Sequence, residues 1–98
     1  ARRDFVERNP GAVSAFMDHY RSSVEFVNTS VAEAAQLAGK YDIVPAAVAE
    51  KALPACNITF LEGAELKEKL SGYLTVLLEQ NPAAVGGELP ADDFYYAR

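Results

Sequence analysis

The clearest pattern in the chain is a stripe of apolar residues at helical spacing that follows Asn9 and Pro10. Asn suits the N-cap of a helix, and Pro suits the first turn, where its missing N–H is not needed. The apolar positions that share one face are Val13, Phe16, Met17, Tyr20, Val24 and Val27. The opposite face is mainly polar, so the spacing predicts an amphipathic helix with a buried apolar side.

A second and a third helix are predicted next. Ser30, followed three residues later by a glutamate, matches a capping box and predicts a helix ending near Tyr41. Its expected buried positions are Ala34, Leu37, Ala38 and Tyr41. Asp42 should then turn the chain. A short third helix is predicted over residues 46–53, and Pro54 ends it because proline cannot continue a helix.

The remaining pattern predicts one short strand and one long helix. Residues 57–61 are β-branched and aromatic and form the only strand candidate. One strand cannot make a sheet, so it needs a partner strand elsewhere. A fourth helix is predicted over residues 65–80, with an apolar face of Leu66, Leu70, Tyr73, Leu74, Leu77 and Leu78. Gly72 within it suggests a close contact. The predicted class is therefore mostly α, with four helices and one short strand.

Composition and charge reduce the number of functional classes that fit the chain. The chain has 98 residues, enough for one small domain, and half of them are hydrophobic. Its formal charge is −5, so it repels phosphate overall, and we expect no nucleic-acid partner. No apolar run approaches the roughly 20 residues that span a bilayer. The chain opens without Met and without a signal-peptide pattern, as expected for a fragment or a mature chain.

Four side chains have chemistry that could serve catalysis or ligand binding, and each also has a simpler structural explanation. His19 is the only histidine, and without an oriented partner we expect it to be solvated. Cys56 is the only cysteine, which excludes an intrachain disulfide, and we expect it to be a buried structural residue. Tyr95 and Tyr96 could stack on a ligand, but anchoring of the tail is the favoured interpretation. The sequence therefore predicts no catalytic residue and no enzymatic activity.

The last segment contains two further motifs. Asp92 and Asp93 lack the loop spacing of a hard-cation site, so no metal is expected there. Gly86 and Gly87 lack the surrounding pattern of a phosphate-binding loop and follow a helix instead of a strand. We therefore expect no cofactor.

The order of these features resembles a known family. The residues that carry the resemblance are Arg3, Asp4 and Phe5, then Asn9, Pro10, Val13, Ala15 and Phe16, then Glu33, Ala34, Ala35, Gln36 and Leu37. The continuation, with Leu53 and Pro54, a β segment over 58–60 and a helix over 62–79, is similar as well. Together they resemble the later portion of solute-binding proteins of ABC importers of the nitrate, sulfonate and thiamine-precursor type.

The resemblance implies a fold and a role for the complete protein. The fold would be the α/β two-lobed arrangement of type II periplasmic binding proteins. Residues 1–55 would be helices of the second lobe, 56–61 a crossing strand, and 62–98 a helix and tail on the first lobe. The protein would capture a small-molecule solute outside the cytoplasm, in the periplasm or anchored to the membrane, and deliver it to an ABC permease. The ligand-binding residues of this family lie mostly upstream, so none is assigned here.

Two alternatives stay open at this point. The chain could be a stand-alone helical interaction domain that uses the leucine face of residues 65–80. It could also belong to a pyrimidine-synthesising enzyme on the same scaffold. If the chain is a fragment of a two-lobed protein, we expect its apolar faces at 13–27 and 66–78 to be hidden by neighbouring helices or by a second copy.

Overall fold

The computed structural model describes all residues 1–98 and consists of helices, turns and loops. Its five α-helices are α1 (Arg3–Arg8), α2 (Pro10–Thr29), α3 (Val31–Lys40), α4 (Ala46–Ala52) and α5 (Gly63–Gln80). Three short 3-10 turns cover Leu53–Cys56, Pro82–Val85 and Asp92–Phe94. The predicted mostly helical class is confirmed. The chain divides into two compact units, residues 1–60 (unit 1) and residues 61–98 (unit 2).

Unit 1 is built on the packing of α2, α3 and α4 around a very small core. A single residue, Ser30, joins α2 to α3, and α3 packs most extensively on α4. The buried residues are Val24, Ala34, Ala35 and Ala49. Three of the four are alanines, which let helix backbones approach closely but remove little apolar area from water. The packing of this unit is therefore close at its centre and open at its edges.

The turn between α3 and α4 has the hydrogen bonds of a Schellman motif. The Ile43 N–H donates to the Ala38 carbonyl (2.9 Å), and the Asp42 N–H donates to the Gly39 carbonyl (3.2 Å). Asp42 takes the left-handed conformation that this motif needs, at φ 54°. A Cβ on Gly39 would lie 3.1 Å from the Cβ of Ala46, so a glycine is what lets α3 and α4 meet here.

The predicted strand at 57–61 is absent. Residues 58–60 form an irregular segment held against α2 instead. The Asn28 side-chain amide donates to the Ile58 carbonyl (2.9 Å), and the Arg21 guanidinium lies 5.0 Å from the centre of the Phe60 ring. The physical reason is that a lone strand has no ladder partner, so its backbone is satisfied by other groups.

The ends of several helices also differ from prediction. The six-residue α1 was not predicted. Asn9 takes the N-cap position of α2 but makes no side-chain N-cap bond there, because its amide donates back to the Phe5 carbonyl at the end of α1 (3.0 Å). Ser30 occupies the N-cap position of α3 without making the side-chain bond of a capping box. As predicted, the third helix ends before Pro54, with Ala52 as its last residue. The chain continues as a 3-10 turn, and Pro54 fits in its first residues because no N–H donor is needed there.

Unit 2 consists of α5 and a tail that folds onto the start of the same helix. The Arg98 guanidinium contacts the Glu62 carboxylate (3.0 Å), and the Lys67 ammonium contacts the Asp92 carboxylate (2.9 Å). No residue of α5 is buried. The close contact expected at Gly72 is not present, since a Cβ there would meet nothing within 4 Å.

Candidate functional site

The chain exposes more surface than its size requires. Its accessible surface is 7349 Å², whereas a compact monomer of 10.6 kDa exposes about 5,500 Å². The same scaling applied to each unit separately gives about 6,600 Å² in total. At least about 750 Å² therefore exceeds what the two units would expose as ordinary globules.

Much of this surface is apolar and lies on faces that the sequence predicts to be buried. Phe16 is 62% exposed and Tyr20 is 49% exposed on α2. Tyr73 is 61% exposed on α5, and Tyr41 is 66% exposed just after α3. The prediction that these residues are buried is wrong for the isolated chain. Tyr20, for example, meets the Phe16 and Phe60 rings, each with a centre 5.9 Å from its own, and half of its surface stays exposed. Faces of this kind mark surfaces that associate with something else.

Unit 1 contains an apolar groove with a volume of about 690 Å³. It lies between α2, α3, α4 and the 3-10 turn that follows α4. The residues that line it, which define the apolar groove below, are His19, Ser22, Ser23, Phe26, Val27, Ala34, Leu37, Ala38, Tyr41, Ile43, Val44, Ala49, Ala52, Leu53 and Cys56. Ile43, 75% exposed, is the most exposed large apolar side chain of the chain.

The polar groups of the groove are few and mostly engaged. The Ser22 hydroxyl donates to the Asp18 carbonyl, and the Ser23 hydroxyl donates to the His19 carbonyl, each at 3.0 Å. These bonds follow the helix and leave no hydroxyl proton for a ligand. No Lys, Arg, Asp or Glu lines the groove. Its chemistry therefore suits an apolar, uncharged occupant.

His19 and Cys56, the only histidine and the only cysteine of the chain, both line this groove. His19 is exposed, as predicted, and borders it from α2. Cys56 is an exposed free thiol, so the prediction of a buried cysteine was wrong. The reason is that the chain turns outward after Leu53 in a 3-10 turn instead of entering a strand. Nothing in their surroundings supplies the carboxylate that would orient a histidine base beside a thiol.

The acidic and aromatic residues of the tail have structural surroundings in unit 2. Asp92 starts a 3-10 turn and pairs with Lys67, whose ammonium also lies 6.0 Å from the Tyr95 ring centre. Phe94 and Tyr95 meet edge to face, with ring centres 5.2 Å apart. Tyr95 and Tyr96 are half-buried, in agreement with the anchoring interpretation.

The other two tail motifs lie in turns. Asp93 lies in the same 3-10 turn as Asp92, and no group of three or more His, Cys, Asp and Glu side chains could hold a metal ion. Gly86 and Gly87 have φ of 76° and 91°, values that favour glycine. The Gly87 N–H donates to the Pro82 carbonyl (2.8 Å), so these glycines serve a turn.

Sequence reasoning did not identify the apolar groove. Its walls include Leu37, Tyr41 and Leu53, and the first two are among the positions assigned to the core. A stripe of apolar residues predicts that a face is covered but does not say by what. The apolar residues of the stripe were therefore the only sequence signal for the groove. The sequence did not show which element, if any, covers them.

Comparison with protein-family models, with curated proteins and with solved structures gave no match to this chain. Among its helices, none has the combination of length and apolar character needed to cross a bilayer.

Proposed function

We propose that the chain is part of an extracytoplasmic solute-binding protein that captures a small molecule and passes it to an ABC permease. Its role there is binding and support, without catalysis. The complete protein has two α/β lobes, with the helices of unit 1 in the second lobe and α5 with the tail on the first. The observation that carries the proposal is the apolar surface that neither unit covers.

Two features support this assignment. The first is the order of motifs from Phe5 to the helix before Asn81, which resembles the later portion of such proteins. The second is the pattern of exposure. In an α/β protein each helix packs one face on a sheet. The apolar face of α5 lacks such a cover, since none of its leucines is more than half-buried. Sheet strands that the 98 residues do not contain would complete both units.

In this role the chain supplies scaffold. A two-lobed binding protein closes on its solute, and the bound solute shifts the population from open to closed. The helices hold the lobe surfaces in place while the connecting segments absorb the change. The tail contact between Arg98 and Glu62 holds the end of the chain to the start of α5, so both move as one body.

The test is made on the complete gene product. Thermal unfolding is followed in the presence of nitrate, of short sulfonates and of pyrimidine precursors of thiamine, each far above its expected dissociation constant. A solute at about 100 times its Kd stabilises the protein by about 2.7 kcal/mol, which raises Tm by several degrees. A matched panel of sugars serves as the control. A gene product that contains no further domain and binds none of these solutes refutes the proposal.

One observation favours a second candidate, a helical interaction domain. The face of α5 exposes Tyr73 (61%) and Val76 (55%), and a helix with such a stripe can pair with another helix. This candidate expects the 98-residue chain to form a dimer in sedimentation at micromolar concentration. Tyr73→Glu should then return it to monomer, with Thr59→Glu, exposed and outside α5, as the control.

A further inference from the structure

We propose that residues 91–98 form a strap that is held on the first turns of α5 by charge and opens as the ionic strength rises. The strap lies within unit 2, and its action does not depend on the solute-binding function proposed above. Its opening makes Tyr95 and Tyr96, which are half-buried in the closed form, accessible to other molecules.

Charged side chains join the strap to α5. The Lys67 ammonium lies 2.9 Å from the Asp92 carboxylate and 6.0 Å from the centre of the Tyr95 ring. The Arg98 guanidinium lies 3.0 Å from the Glu62 carboxylate. A single exposed ion pair contributes little to stability, whereas several charges that act together contribute measurably. Lys67 is central because it has both an anionic and an aromatic partner.

The order of charges also fixes the direction in which the strap lies. Along the strap the anion Asp92 precedes the cation Arg98. At the start of α5 the anion Glu62 precedes the cation Lys67. Opposite charges therefore meet when the strap runs antiparallel to the helix, as observed. A strap running the other way would bring like charges together, which is unfavourable.

The backbone of the strap has turns of its own. The Phe94 N–H donates to the Ala91 carbonyl (3.0 Å), and the Tyr95 N–H donates to the Asp92 carbonyl (3.2 Å). Because these bonds lie within the strap, they are kept when it leaves α5. Opening therefore breaks contacts between side chains while the local turn stays formed.

Solvent reaches the two ion pairs to different degrees. The side chains of Lys67 and Asp92 are 47% and 90% exposed. Those of Arg98 and Glu62 are only 21% and 30% exposed. Salt screens exposed charges more strongly than partly buried ones. Rising ionic strength therefore weakens the contacts of Lys67 first and frees Tyr95 beside it.

Cleavage by chymotrypsin after Tyr95 and Tyr96 measures opening, because the rate follows the population of the open form. The full-length protein is digested at about 0.01 M and at about 1 M salt, where the Debye length is about 30 Å and about 3 Å. A synthetic peptide of residues 86–98 corrects for the effect of salt on the protease. We expect the rate for the protein, relative to the peptide, to rise about fivefold at high salt. A relative rate that does not change with salt overturns the proposal.

Two variants with the same change of charge test the role of Lys67. Lys67→Met removes the contacts with the strap, whereas Lys69→Met removes a lysine that pairs with Glu65 inside α5 (2.7 Å). At low salt we expect Lys67→Met to be cut about fivefold faster than the natural chain, and Lys69→Met to be cut at the natural rate. Lys67→Arg keeps the charge and should be cut slowly. Equal rates for the two methionine variants overturn the proposal, and so does fast cutting of Lys67→Arg.

Discussion

Replacement of Gly39 by alanine tests how closely α3 and α4 pack. Gly39 is the second-last residue of α3, and a Cβ there would lie 3.1 Å from the Cβ and 3.2 Å from the backbone nitrogen of Ala46. Carbon atoms prefer about 3.5–4.0 Å. The obstacle is partly backbone, at the first turn of α4, so it cannot be relieved by a change of rotamer. The two helices would have to separate by a few tenths of an ångström.

Two opposing effects set the magnitude. Alanine stabilises a helix interior by up to about 1 kcal/mol relative to glycine, and by less near a helix end. Overpacking in a close contact costs about 1–3 kcal/mol. We therefore expect Gly39→Ala to lower the free energy of unfolding of unit 1 by about 1 kcal/mol, which lowers Tm by about 4–8 °C. At this position the cost of the close contact exceeds the gain in helix propensity.

The assay is urea denaturation followed by far-ultraviolet circular dichroism, with Gly11→Ala as the matched control. Gly11 is the second residue of α2, in the same unit, and a Cβ there meets nothing within 4 Å. Gly11→Ala should raise stability by about 0.5 kcal/mol, and Gly72→Ala, in the open middle of α5, by about 1 kcal/mol. If Gly39→Ala stabilises the chain as much as Gly11→Ala does, the close helix contact is refuted.

Three further substitutions probe single contacts. Asp42→Gly should raise the free energy of unfolding by about 0.5–1 kcal/mol, because glycine adopts φ 54° without the Cβ conflict, as measured by urea denaturation. Asn28→Ala should cost about 1 kcal/mol and speed amide exchange at residues 58–60, since the bond to the Ile58 carbonyl is lost. Arg98→Ala should cost about 1 kcal/mol, less at high salt, because the pair with Glu62 is only 21% and 30% exposed.

Each of these has a matched control. Asp42→Ala keeps the positive φ and should not stabilise, so equal gains with glycine and alanine would contradict the strain argument. Gln36→Ala, at an exposed site on α3, should leave exchange at residues 58–60 unchanged. Arg2→Ala removes a pair that is 84% and 52% exposed and should cost no more than a few tenths of a kcal/mol. A cost as large as that of Arg98→Ala would show that burial does not matter.

The helices were largely predictable, because their information is local. Apolar spacing and the prolines at residues 10 and 82 placed α2 and α5 within a few residues of their observed bounds. The site was much less predictable. The tail anchoring around Tyr95 followed from residue type, but the exposure of Cys56 did not, because it depends on how the chain leaves α4. The apolar groove depends on three helices meeting, which no single stretch encodes.

The sequence by itself determined where helices form, that the chain is acidic, and which faces are apolar, since periodicity and charge are properties of neighbouring residues. The tertiary structure decided what each face touches. It replaced the strand predicted at 57–61 with a segment bound to Asn28 and Arg21, and it left Phe16, Tyr41 and Ile43 uncovered. The physical reason is that burial depends on contacts between elements distant in sequence. An apolar stripe is therefore buried only where another element packs on it.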